Sequence, residues 1–136
     1  MAYGYHAATC EHIAASLAFG RVASFAGTLD KIFALADAGG GPAAWSEAAL
    51  KADDPALEPI FYRWVRGPDL QRLVRTIGRF RAEHGSLAEF MNGAIEANDQ
   101  HIGPGLIQLV DTLRTLALEP GEQGFDALPR GFRHLL

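Results

Sequence analysis

Apolar residues recur along this chain at spacings of three and four, and no stretch alternates at period two, so the pattern predicts helices and no strands. The first run predicts a helix from Cys10 to Phe19, with Thr9 as N-cap, Gly20 at its end, and Cys10, Ile13, Ala14 and Leu17 on one face. A second covers Arg21 to Ala38, with Val22, Phe25, Leu29, Ile32, Phe33 and Ala36 in register, and ends at Gly39-Gly40-Gly41. A short third, from Pro42 to Lys51, buries Trp45. Asp53-Asp54-Pro55 then breaks the pattern as a turn, because Asp initiates turns and proline fixes φ.

The best-patterned helix starts at Gly67-Pro68, with proline at the first helical position, and ends with His84 in its last turn and Gly85 as cap. Leu70, Leu73, Val74, Ile77 and Phe80 make its apolar stripe, and Arg72, Arg75 and Arg79 fall opposite. Just before it lies an aromatic knot, Phe61, Tyr62 and Trp64, between Pro59 and Gly67. It is expected to be irregular or briefly helical, with Phe61 and Trp64 buried. Ser86 and Glu89 form a capping box for a helix burying Leu87, Phe90, Met91, Ala94 and Ile95. After a loop from Asn98 to Gly103, Pro104 starts a last long helix with Leu106, Leu109, Val110, Leu113, Leu116 and Ala117 on one face. From 119 to 136 the pattern dissolves. The expectation is an all-α chain, one helical domain over 1–136 with about six amphipathic helices and an irregular C-terminal segment at 119–136.

Composition narrows this picture. At 136 residues the chain has the size of one domain, and its single cysteine excludes an internal disulfide framework and suits a reducing cytoplasm. No segment has the length and apolarity of a membrane span, and no basic leader precedes an apolar run. A formal net charge of −4 hides an uneven layout. Residues 59–81 hold six arginines against one acid, between two acidic arms. The overall charge opposes indiscriminate nucleic-acid binding, while the local basic stripe can act alone.

Candidate chemistry is thin. Cys10 has no base fixed beside it and reads as a buried thiol, and the five histidines show no metal-ligand spacing. Gly39-Gly40-Gly41 lacks the Lys-Ser/Thr of a phosphate loop. No cofactor is implied. The sharpest feature is the set Arg63, Arg66, Arg72, Arg75 and Arg79. In one reading these arginines straddle a phosphate backbone; in the other they are the solvated face of an amphipathic helix. Ile102-Gly103-Pro104 resembles the turn of helix-hairpin-helix motifs, which offers backbone N–H groups to a phosphate; a plain helix start accounts for it equally.

Several stretches together resemble one bacterial family. They are Glu11 to Arg21, Phe61-Tyr62-Arg63-Trp64, Asp69-Leu70 through Ser86-Leu87, and Gly131 to Leu136, in the family's order. The chain is similar on this basis to the family called domain of unknown function 2400, over most of its length. In that family the run matching Arg133-His134-Leu135-Leu136 leads into a Gly-Ser-Ala-Cys-Lys-Arg segment, an aromatic-basic helix and a Pro-Leu-Asp-Thr-His segment. Those parts are similar to the lysine and aspartate region of helix-hairpin-helix DNA glycosylases. The present chain ends before them, so the resemblance implies the N-terminal portion of such a protein and hands it no catalytic residue.

Two functions follow as expectations. The first is a helical half-domain touching DNA weakly and without sequence preference through its arginines. The second is a packing or oligomerisation module with no nucleic-acid role. In either case Phe125, Leu128, Phe132, Leu135 and Leu136 lack an element of their own. They are expected to seek a second copy of the chain, or the family's C-terminal portion, as partner.

Overall fold

Gly67–His84 is the one helix that touches nearly every other element, and the fold is built around it. In the computed structural model, which describes residues 3–18, 21–95 and 100–136 (for 3–8 the backbone path alone), the order is α1 Tyr3–Leu17, α2 Val22–Ala38, α3 Pro42–Ala48, a 3-10 turn Pro55–Leu57, β1 Phe61–Tyr62, β2 Val65–Arg66, α4 Gly67–His84, α5 Leu87–Ala94, α6 Gly103–Leu116, a 3-10 turn Phe125–Ala127 and α7 Arg130–Arg133. The protein is predominantly all-α, as its periodicity predicts. None of the described helices is long and apolar enough to cross a membrane.

The expected apolar stripe of α4, Leu70, Leu73, Val74, Ile77 and Phe80, is buried. It joins Ile13 and Leu17 of α1, Leu29, Ile32 and Ala36 of α2, and Trp45 of α3 in one core; Phe80 opens a second, smaller cluster with Leu109 and Leu113 of α6. Leu87, Phe90 and Met91 of α5 lie against that cluster only partly buried. Gly78 sits where α3 crosses α4: a Cβ there would strike the backbone carbonyl of Ser46. Gly40 and Gly41, at φ 88° and 100°, turn the chain out of α2, and their N–H groups are donated to the carbonyls of Asp37 and Ala36.

Four expectations are corrected. Helix α1 begins at Tyr3, so Thr9 is no cap. It lies in the helix interior, 1% exposed, and its hydroxyl accepts a hydrogen bond from Arg81 on α4. The aromatic knot is neither irregular nor helical. Phe61–Tyr62 pairs antiparallel with Val65–Arg66 in a hairpin with a two-residue loop. Alternation then decides burial: Tyr62 and Val65 face the core, while Phe61 and Arg66 share the outer side. Phe61 is therefore exposed (59%), Trp64 is exposed in the loop (45%), and Tyr62 is the ring that packs. Four residues of alternation are too few to register as a strand pattern.

The fourth correction is at the C-terminus, where 119–136 contains a 3-10 turn and α7. Leu128, Phe132 and Leu135 are almost fully buried in the main core, and Leu136 packs against both clusters. Most of the residues expected to seek a partner are covered by their own chain; Phe125 keeps 38% of its surface exposed.

The Gly78 crossing sets two effects against each other. Alanine is favoured over glycine inside a helix by about 1 kcal/mol, but overpacking a tight contact costs about 1–3 kcal/mol. Because the obstacle is backbone and cannot rotate away, Gly78→Ala is expected to destabilise, by up to about 2 kcal/mol net. A denaturant midpoint that rises in this variant would show that α3 and α4 lie further apart.

Candidate functional site

The five candidate arginines divide into two sets. Arg72, Arg75 and Arg79 keep only 15%, 22% and 27% of their side-chain surface. They lie opposite the apolar stripe, as their spacing requires, yet polypeptide rather than solvent covers that side. Arg72 holds Glu122 with two hydrogen bonds of 2.7 and 3.1 Å and donates to the carbonyl of Ala117 at 2.9 Å. Arg75 donates to Glu119 at 2.6 Å and to the carbonyl of Ala49 at 3.3 Å, and is also paired with Asp53. Arg79 donates to Glu119 at 3.0 Å and to the carbonyls of Leu116 and Leu118 at 2.7 and 3.3 Å.

This lattice caps a helix. Helix α6 ends at Leu116, where its last carbonyls have no intrahelical N–H to accept from. The guanidinium groups of Arg72 and Arg79 reach the carbonyls of 116–118, at the end of the helix that carries partial negative charge. Glu119, Glu122 and Asp53 together neutralise the three cations, and the two glutamates are themselves linked, the Glu119 N–H being donated to the Glu122 carboxylate at 2.9 Å. Burial tends to raise the Glu119 carboxyl, but hydrogen bonds from Arg79 and Arg75 outweigh it and hold it below its ordinary value. The Arg72 hydrogen bond, then the Glu119 N–H, lower Glu122 likewise.

Arg63 and Arg66 lie elsewhere, exposed on the hairpin. Arg63 is the first of the two loop residues and has φ 56°, the left-handed value that this position usually gives to glycine. Its guanidinium stands 5.8 Å from the Tyr62 ring centre and 5.9 Å from that of Trp64. Arg66 lies 5.3 Å from the ring of Phe61, and its N–H is donated to Asp69 at 2.9 Å, starting α4. The C-terminal segment closes in beside it. His134 contacts the Trp64 ring with centroids 5.1 Å apart, and Arg130 and Arg133 follow on α7. Arg133 is paired with Asp126 at 3.1 Å, whereas Arg130 is exposed with no carboxylate partner among the described residues. A shallow hollow is lined by Trp64, Arg66, Asp69, Arg130, Gly131 and His134. Exposed aromatic and cationic groups therefore gather around the hairpin tip, and no aromatic accompanies the arginines of the lattice on their own helix face. His134 and Arg130 could be found from sequence only through the chain's return to the hairpin, which no local pattern announces.

Other candidates are less promising. Burial foremost, then the charges of Asp37 and Glu11, push the Cys10 thiol up and oppose thiolate formation. At the turn resembling a helix-hairpin-helix motif, the Gly103 N–H is donated to His101 Nδ1 at 3.1 Å, so that donor is already engaged. Asp54 accepts from Trp45 Nε1 at 2.8 Å and from the Ala56 N–H at 3.0 Å, capping the turn Pro55–Leu57.

The family model of DUF2400, described as a protein of unknown function, matches residues 5–131. No curated protein and no solved structure matches the chain.

The lattice makes a prediction with a sign. A carboxyl whose pKa is lowered on folding contributes stability that is whole above its unfolded value, near 4.5, and is lost as pH falls through the folded one. Thermal stability should fall steeply below about pH 4.5, and Glu119→Gln should flatten that dependence. Arg79→Gln should cost about 1–3 kcal/mol, since charged hydrogen bonds are lost and carbonyls stranded. An unchanged melting temperature for Arg79→Gln would place its side chain in solvent.

Proposed function

The chain belongs to the DUF2400 family, and from that premise we propose that its hairpin surface makes a weak, sequence-independent contact with nucleic acid, without catalysis, and favours single strands over duplex. The observation that supports this is one cluster: Arg63, Arg66 and Arg130, exposed and with guanidinium groups that have no carboxylate partner among the described residues, beside the exposed rings of Phe61 and Trp64. Cations track a phosphate backbone, and neighbouring rings stack on unpaired bases, which a duplex keeps occupied. The left-handed Arg63 adds to the argument. Strain of about 1–3 kcal/mol at a non-glycine residue collects where a side chain has work to do.

Arg72, Arg75 and Arg79 take no direct part in this reading, because their donors are held by the lattice. The net charge of −4 keeps the contact weak and sensitive to salt. The likeness of the family's later segments to DNA glycosylases points in the same direction.

Fluorescence anisotropy of a labelled oligothymidylate tests the proposal. Three cations give an expected log–log salt slope of about −2 on a single strand. The triple variant Arg63→Gln, Arg66→Gln, Arg130→Gln should flatten it. Trp64→Ala should weaken binding by about 1–3 kcal/mol and abolish the preference over duplex. No binding by the folded wild type at low ionic strength would sink the idea. Separately, Arg63→Gly relieves the strained φ and should leave the melting temperature unchanged or raised, while binding drops.

A further inference from the structure

Helix α4 carries a fourth arginine that does not join the lattice. Arg81 is nine residues from Arg72, half a turn round the helix, and so leaves from the other side. There it lines a cavity of about 330 Å³ between α1, α3, α4 and the start of α5. Among the described residues Arg81 has no carboxylate partner, whereas each arginine of the lattice has one. Its one hydrogen bond goes to a neutral group, the buried hydroxyl of Thr9, at 3.1 Å. A half-buried guanidinium held by a single uncharged acceptor keeps most of its donors for something else.

The rest of the cavity describes what that is. Ile77 and Phe80 form an apolar floor, with Leu50 and Leu87 also lining it. His12 stands edge-on to Phe80 with centroids 6.0 Å apart. Burial lowers its pKa, against the pull of Glu11, so the ring is held neutral and adds no second positive charge. Glu47 and Glu89 also line the cavity. These two carboxylates repel any anion, a phosphate dianion about twice as strongly as a monoanion, so a ligand held by Arg81 carries at most one negative charge. The fork of a guanidinium matches a carboxylate with two parallel hydrogen bonds.

We infer that this cavity binds a small organic carboxylate with an apolar body, its carboxylate on Arg81 and its body on Ile77, Phe80 and Leu87. The volume falls at the lower end of the small-molecule range, about 300–1,000 Å³. The site is independent of the proposed nucleic-acid contact, since Arg81 lies about 21 Å along α4 from the hairpin end.

The test uses the whole chain with 3-phenylpropionate as probe and 3-phenylpropanamide, its uncharged isostere, as control, followed by methyl and amide NMR. The acid is expected to bind saturably in the millimolar range or tighter, moving the signals of Ile77 and Leu87. The amide should bind at least tenfold more weakly. Arg81→Gln should reduce acid affinity at least tenfold and leave the amide unaffected, and Arg63→Gln should change neither. If Arg81→Gln does not fold, the acid-to-amide ratio and the mapped shifts in the wild type still decide. Equal binding of acid and amide, shifts mapping outside the cavity, or no saturable binding would overturn the inference. So would inorganic phosphate competing as well as the acid.

Discussion

Three guanidinium groups on one helix hold the C-terminal third of this protein in place. Arg72, Arg75 and Arg79 bind Glu119, Glu122 and the carbonyls of 116–118, and so close the end of α6 against α4. From there the chain turns back, and Leu128, Phe132 and Leu135 enter the core shared by α1 to α4. A helix end carries partial negative charge and unsatisfied acceptors, so its burial needs donors. Arginine supplies several donors in a fixed fork, and the three charges are returned to neutrality by Glu119, Glu122 and Asp53.

The same lattice decides which charges remain outside. Six arginines lie between two acidic arms, yet three of them are neutralised from within by residues of those arms. What is left separates to the two ends of α4. At its start, Arg63 and Arg66 stand on a hairpin whose strained loop and outward rings form a surface. At its finish, Arg81 faces an apolar cavity. The two proposed sites therefore differ in chemistry, an extended polyanion at one end and a small carboxylate at the other, and nothing in one site requires the other.

Local patterning by itself determined the longer helices after the first. The 3.6-residue period located α2, α4 and α6 to within a residue or two, because their apolar stripes and their glycine and proline boundaries act on neighbours in sequence. The capping box of Ser86 and Glu89 forms as written, since both partners lie within one turn. The ordered motifs likewise carried the family. What the tertiary structure alone decided is who covers each polar face. Periodicity shows that Arg72, Arg75 and Arg79 oppose the core, but it does not distinguish water from Glu119 and Glu122, which lie 40 to 50 residues away. For the same reason Thr9, read locally as a cap, is a buried acceptor for a residue on another helix. Phe61, read as core by bulk, is turned outward by its pairing with Arg66, and Trp64 by its place in the two-residue loop. Long-range pairing of charge and short-range pairing of strands both depend on geometry that a one-dimensional pattern does not contain.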